Sequence, residues 1–422
     1  MKVFKFGGAS VKSAEAVENV GTILQQYNND DIVVVVSAMG KTTNTLEGVV
    51  HAFFSNDWEV FSSLIEKSKS LHMEVVSKLF EDKSDEIYHS VTTLFDEILN
   101  FKNTNLGDDY NYVYDQIVSY GEIISTTIVA SYLTKTLNRK VCWKDVRKFI
   151  RTDANYRSAN VDWEKTQALI NKEFLNADHS ISVTQGFIGQ TDDGATTTLG
   201  REGSDYTAAI IAHCLDAESV TIWKDVPGML NADPKYFEDT VKLDRISFKE
   251  AIELAYYGAS VIHPKTIKPL QNKSIPLYIK SFISPTEDGS LIQESTEFDG
   301  LVPSYIIKTN QVLLSVTPKD FSFVVEENLS DIFKNLAQFK GHINVMQNSA
   351  VSFSVCLDID KQNLKDLIES LSKDYIIKLN EAVELVTIRY YNQDIIDKIT
   401  QNRASLMEQR IPDTVRIVID SI

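Results

Sequence analysis

The chain carries only three cysteines in 422 residues, Cys142, Cys214 and Cys356, far apart and without a C-x-x-C pair. That excludes a disulfide framework or a cysteine-based zinc site and predicts buried thiols in a reducing cytoplasm. Histidine is scarce too, and the seven present form no H-E-x-x-H or similar cluster, so no dedicated metal cage is expected. No apolar run approaches the length of a membrane span, and the N-terminus lacks the long apolar stretch of a secretory signal. A cationic surplus is also missing. The net charge of −17 argues against nucleic-acid and acidic-membrane partners, both of which need a basic face. The Gly7-Gly8 turn is not a Walker A loop, since no Gly-Lys-Ser/Thr closes it, and no G-x-G-x-x-G is present. Any anionic ligand must therefore be held by a few local cations, which directs attention to lysines and arginines beside glycine-rich turns.

With 43% hydrophobic and 24% charged positions, the chain is an ordinary globular protein long enough for two or three domains. Up to about residue 280, strand-like runs (2–6, 32–37, 140–144, 180–185, 218–223, 276–280) alternate with helical ones (14–27, 113–137, 204–215, 247–257). The alternation predicts a layered α/β domain with a mainly parallel sheet, in which "IVVVV" at 32–36 is a buried strand. Residues 57–103, rich in helix formers and charge, predict an inserted helical hairpin. Over 284–300, "SPTEDGSLIQESTEFDG" loses its apolar periodicity and marks a boundary between domains at 1–298 and 299–422. From 311 a strand, a helix (328–340), two strands, a helix (361–373) and a strand (375–380) give the βαββαβ order of a ferredoxin-like unit. A strand at 384–390, a helix at 392–406 and a strand at 414–420 predict a second, incomplete unit from 299–310 plus 381–422.

Five stretches of the first domain carry unusual chemistry. "KFGGAS" (5–10) turns from a strand into a helix through two glycines, an arrangement that can point N–H groups at a phosphate. "VVSAMGKTTNTL" (35–46) leaves a buried strand into a loop with Ser37, Gly40, Thr42 and Thr43, and "SYGEIIST" (119–126) sets Glu122 near the start of an apolar helix. "TTTLGREGSDYTAAII" (196–211) gathers Arg201, Ser204 and Asp205 at a glycine turn, where Ser204 or Asp205 could equally be a helix cap. "IWKDVPGMLNADPK" (222–235) brings Lys224, Asp225, Asp233 and Lys235. These stretches tend to follow strand ends, where open α/β sheets bind ligands.

"KFGGAS", "SYGE", "GREGSDYTAA", "DVPGMLNADPK" and "YYGASVIHPKTI" resemble, in that order, the motifs of the aspartokinases, members of the amino acid kinase family with C-terminal ACT domains. The resemblance covers nearly the whole chain. It implies an amino acid kinase-like α/β domain followed by ACT units, and transfer of the ATP γ-phosphoryl group to the side-chain carboxylate of L-aspartate. Lys5 and Asp205 would be catalytic, with Lys5, Gly7 and Gly8 cradling the γ-phosphate and Asp205 aligning lysines and Mg²⁺-bound phosphates. Arg201, Glu122, Thr43 and Ser204 would hold the amino acid. Lys224, Asp225, Leu230, Lys235 and Lys265 would serve ATP. No protein metal cage is implied, because Mg²⁺ would arrive with ATP. A carboxylate nucleophile, with an ordinary pKa of about 3.9, needs no general base. The ACT units imply a homodimer and an amino-acid effector site at Asn344, Asn348 and Ser349.

Several positions depart from the family pattern. Glu202 stands where many members have glycine, Lys224 where threonine is common, Leu230 where tyrosine often packs on the nucleotide, and Ser260 where others carry a phosphate-binding lysine. Lys265 or Lys224 could supply the missing charge. Lys319-Asp320 replaces the glycine expected after the first ACT strand. His263 is expected to be packed and hydrogen-bonded, and Trp143, Trp163 and Tyr256 to lie in the core. Two rival readings remain: a kinase of the same fold acting on another amino acid, and a catalytically weak amino-acid sensor.

Overall fold

The computed structural model describes residues 1–104, 106–174, 180–259, 261–320, 322–401 and 403–420. They form two compact units, one of Met1–Met229, Lys242–Ile252 and Val261–Glu297, the other of Leu230–Val241, Glu253–Ser260 and Phe298–Ile422. The chain begins β1 (Lys2–Phe6), α1 (Ala14–Gln25), β2 (Ile32–Val36), α2 (Thr42–Phe54), α3 (Trp58–Leu79), α4 (Glu86–Asn100), α5 (Tyr110–Val118), α6 (Tyr120–Thr136), β3 (Val141–Lys144) and α7 (Trp163–Phe174). β4 (Ile181–Gln185), β5 (Ile188–Gln190), β6 (Thr196–Thr198), α8 (Gly203–Cys214), β7 (Ser219–Lys224), β8 (Arg245–Ser247), α9 (Phe248–Tyr257), α10 (Pro264–Gln271), β9 (Leu277–Ser281) and β10 (Ser290–Gln293) follow.

Eight of these strands form one sheet in the order β3-β4-β2-β1-β7-β9-β10-β8. All neighbours run parallel except β9 and β10. β2 is buried at every position, as a central parallel strand covered on both faces must be. From β1 the chain places β2 beside it, then β3 at the edge and β4 between β3 and β2, and only then returns to place β7 on the other side of β1. That reversal opens a crevice outside the carboxyl ends of β1, β2 and β7.

The single helix expected over 113–137 is two helices. The first starts early because the Asp109 carboxylate accepts the N–H groups of Asn111 and Tyr112, and the two meet at Ser119. The stretch 284–300 is not all loop: it contains β10, too short to show a period and pinned between β9 and β8. Trp143, Trp163 and Tyr256 are not core residues; they are 40%, 37% and 63% exposed. Trp143 lies on the edge strand β3, with its indole N–H bonded to Thr126 Oγ1 at 3.0 Å. No helix among the described residues is long and apolar enough to cross a membrane.

The second unit contains β11 (Ser304–Pro318), α11 (Glu326–Gln338), β12 (His342–Asn348), β13 (Phe353–Asp358), α12 (Lys361–Leu371), β14 (Tyr375–Arg389), α13 (Gln393–Thr400), β15 (Ser405–Ile411) and β16 (Thr414–Ile419). They build an antiparallel sheet ordered β12-β13-β11-β14-β16-β15. β11 and β14 each run 15 residues and pair along their length across irregular registers near Asn310 and Ala382, both left-handed. One half, with α11 and α12 over Leu314, Val355 and Leu367, is the βαββαβ unit. The other, with α13 over Val386, Val415 and Ile417, has one helix among the described residues, and 304–308 supplies a strand to it. The helix expected over 392–406 stops at Thr400, and β15 takes up the following residues as a partly exposed edge strand.

Candidate active site

Lys5 sits on central strand β1 with neighbours buried on both sides, so the residue is only 8% exposed. Its Nζ lies 2.6 Å from Asp205 Oδ1. Asp205 occupies the first turn of α8, and Lys224, at the end of β7, approaches the other carboxylate oxygen at 3.6 Å. Lys224 also donates to the Val261 carbonyl. Burial alone would raise the Asp205 pKa, but the two ammonium groups outweigh it and hold the carboxyl below its usual range. One buried anion thus fixes two lysines from neighbouring strands at the mouth of the crevice.

That mouth is a cavity of about 440 Å³. Four cationic side chains, Lys5, Arg157, Arg201 and Lys224, line it against the carboxyls of Glu122, Glu202 and Asp205. Thr43 and Ser204 also line it. Gly7 and Gly8 adjoin rather than line the cavity. A Cβ on Gly7 would lie 3.4 Å from Lys5 Nζ, and a Cβ on Gly8 would meet the Ala38 carbonyl oxygen at 2.7 Å. Glycine is therefore needed for β1 to turn close against the loop after β2, where Gly40 N–H bonds to the Gly8 carbonyl at 3.0 Å. Among the described residues, the Gly7 and Gly8 N–H groups donate no turn or loop backbone bond.

Glu122, in the first turn of α6, is 3% exposed. Its Oε1 accepts the Ala38 N–H at 3.3 Å, whereas Oε2 is buried without a partner. Burial pushes its pKa up to about 8. A carboxyl with one unsatisfied oxygen facing a cavity is built to receive a cation or a hydrogen-bond donor.

Sequence reasoning missed the group that supports this wall. Asp115 is fully buried on α5 and accepts Thr198 N–H and Oγ1–H at 2.8 and 2.7 Å and Arg157 N–H at 3.0 Å. Burial raises its pKa to about 6 despite those bonds. It ties the β5–β6 hairpin to the loop that carries Arg157, whose guanidinium lies 4.4 Å from the Tyr114 ring centroid. The one available signal was an aspartate inside the apolar stretch "YVYDQIV". Gly186 went unnoticed as well; a Cβ there would lie 2.5 Å from that of Ser204, so only glycine lets α8 dock this close.

Other expected residues lie elsewhere. Asp225 is exposed just past β7, and Leu230 and Lys235 belong to the second unit. Lys265 does not line the Lys5 cavity. It follows the α10 N-cap, where His263 Nδ1 accepts the Lys265 N–H at 3.1 Å, and lines a separate cavity between α7, α8 and α10. Ser260 lies outside the described residues. In the second unit, Asn344 is buried, with its amide engaged by Lys308 (2.7 Å) and Gln311 (2.6 Å). Ser349 Oγ bonds Ser352 at 2.7 Å, and Asn348 is exposed. Among the described residues no group of three or more His, Cys, Asp or Glu side chains could hold a metal ion.

Residues 1–281 match the model of the amino acid kinase family. Lysine-sensitive aspartokinase 3 of Escherichia coli (strain K12) is 30% identical over 399 residues, spanning 92% of this chain and 86% of that protein. The chain belongs to the aspartokinase family. Aspartokinase 1 (chloroplastic) of Arabidopsis thaliana is 31% identical over 399 residues, covering 92% of this chain and 68% of its own. The crystal structure of E. coli aspartokinase III with lysine and aspartate (T-state) superposes with a TM-score of 0.79 at 26% identity, covering 100% of this chain and 96% of that one. The same enzyme with aspartate and ADP (R-state) gives 0.77 at 26% identity, with the same coverage.

Glu202 is the sharpest departure from the family within the cavity. It is the α8 N-cap residue in a left-handed conformation (φ 52°), and its Oε2 is buried without a partner. No lysine pairs with it among the described residues. A side chain in that backbone region costs about 1 kcal/mol relative to glycine. Glu202→Gly is expected to stabilise the protein by about 0.5–1 kcal/mol, read as a higher urea midpoint at unchanged slope.

Proposed function

We propose that the cavity between β1, β7 and α8 is where this aspartokinase-family chain uses ATP to phosphorylate the side-chain carboxylate of L-aspartate. The product, 4-phospho-L-aspartate, begins lysine, threonine and methionine biosynthesis. The observation that carries the assignment is Asp205 held between Lys5 and Lys224. The acceptor carboxylate is already ionised near neutral pH, so the difficulty is the approach of one anion to another. Positioned cations meet it better than any base. Lys5 neutralises charge on the phosphoryl group as it passes, and Asp205 keeps the Lys5 ammonium aimed. The Gly7 and Gly8 N–H groups cradle the same oxygens. Arg201 takes the α-carboxylate through two hydrogen bonds, and Glu122 Oε2 takes the α-ammonium. Thr43 and Ser204 fix the remaining polar atoms, which favours aspartate over a longer acid.

Asp205, committed to two lysines, is not free to hold Mg²⁺, which would come with ATP on phosphate and water oxygens and would supply further charge neutralisation. Lys224, not Lys265, replaces the positive charge that Ser260 lacks. Lys224→Met is expected to raise the KM for ATP or lower kcat by about tenfold or more, while Lys265→Ala leaves both unchanged. Initial rates of aspartate-dependent ADP release check this; the reverse ranking overturns it. The second unit is assigned to homodimer formation and effector binding, with Asn348 and Ser349 available to the effector and Asn344 structural. Three free thiols, those of Cys214 and Cys356 pushed up to about 12 by burial, fit a reducing cytoplasm.

A further inference from the structure

We propose that a second cavity, on the far side of the loop that carries Thr43, binds inorganic phosphate and alters the amino-acid pocket through that loop. The binding stands on its own geometry; the coupling rests on assigning Thr43 to the aspartate site. The cavity, about 200 Å³, lies where the N-terminal ends of α1 and α2 meet the flank of α3. Lys12, Lys41 and Lys78 line it against one carboxylate, Glu74. In a chain of net charge −17 this is a local positive excess. Lys41 holds the N-cap position of α2 yet makes no side-chain cap bond, so the positive end of that helix is left for something else.

The floor defines the occupant. Ser68 is 2% exposed, lines the cavity, and its Oγ has no hydrogen-bond partner. His72, 3% exposed, lies one turn along α3, with Nδ1 2.8 Å from the Ser68 carbonyl oxygen, so Nδ1 carries the proton. Burial holds its pKa below the usual value, leaving the ring neutral and Nε2 an acceptor. Nε2 faces Thr42 Oγ1 at 3.4 Å, but that hydroxyl already donates to the Met39 carbonyl at 2.6 Å. The cavity therefore offers a spare hydroxyl donor, a spare imidazole acceptor and three ammonium groups at its rim, that of Lys78 already paired with Glu74 at 2.9 Å. Monohydrogen phosphate matches all of them: one P–OH for Nε2, and anionic oxygens for Ser68 and the lysines. Sulfate has the charge but no proton to give.

The link to catalysis is a single loop. Met39, Gly40, Lys41 and Thr42 line this cavity, and Thr43 lines the catalytic one. The Ala38 N–H holds Glu122, and the Gly40 N–H holds Gly8. An anion bound beneath the loop restrains both.

The test uses the full chain with isotope-labelled histidine, titrated with sodium phosphate at constant ionic strength, with sulfate and chloride in parallel. His72 resonances are assigned by His72→Asn. Expected is a saturable His72 shift with phosphate, weaker with sulfate and absent with chloride. Its midpoint should rise about tenfold in Lys12→Met/Lys78→Met and stay in place in Lys5→Met, which disables the catalytic cavity only. Phosphate should also change the KM for aspartate in the parent and not in the double variant. Unmoved His72 resonances, or the same midpoint in the double variant, overturn the site. A His72 shift with KM unaffected, or affected alike in both proteins, overturns the coupling.

Discussion

Replacing Lys5 with methionine is expected to lower kcat about 10²- to 10³-fold, because the cation proposed to meet the phosphoryl group in flight is gone while the volume is kept. The same change also leaves Asp205 with only Lys224, 3.6 Å away. Removing one partner of a buried pair costs about 3–5 kcal/mol, so a stability loss accompanies the rate loss and must be separated from it. Lys5→Met/Asp205→Asn does this by removing the stranded charge. The double variant is expected to recover most of the stability in urea denaturation and none of the activity. Recovery of activity along with stability would make Lys5 a structural residue.

Glu122 gives the second large effect, and its sign follows from burial. In the free protein its pKa is about 8, so near neutral pH the group is mostly protonated. The substrate ammonium at Oε2 favours the carboxylate, so binding below about pH 8 must expel a proton. The KM for aspartate should therefore rise by about tenfold or more between about pH 8.5 and about pH 6.5. Glu122→Gln keeps the shape and the bond to Ala38, removes the titration, and raises KM about tenfold or more above the parent at high pH. Its KM should be flat over the same pH range. A parent KM that does not change with pH, or a variant that keeps the slope, would separate Glu122 from the substrate ammonium.

The cluster around Asp205 was legible in the sequence where chemistry and backbone geometry coincide. Lys5 lies in a buried strand before two glycines, and Asp205 opens an apolar helix after a glycine turn; both patterns are local. Glu122 was visible as a lone acid at the start of an apolar helix, but the isolation of its Oε2 was not, since this depends on how the loop after β2 packs. Asp115 and Arg157 were invisible for a related reason: they meet directly across 42 residues, beside the short β5–β6 hairpin that Asp115 also holds and that carries no period of its own. Lys265 misled because lying five residues after Ser260 says nothing of the side of α10 on which the side chain emerges. In the second unit, the long strands β11 and β14 blurred the reading, because each serves both halves of one sheet. A periodic pattern cannot reveal such sharing.

The most direct test is to trap the acyl phosphate with hydroxylamine in the presence of Mg²⁺-ATP and L-aspartate, L-glutamate or no amino acid, with Lys5→Met alongside the parent. ATP-dependent hydroxamate from aspartate alone, lost in Lys5→Met, is the predicted result. No hydroxamate from folded parent protein with any of the three would contradict the account and favour an amino-acid sensor on a kinase fold.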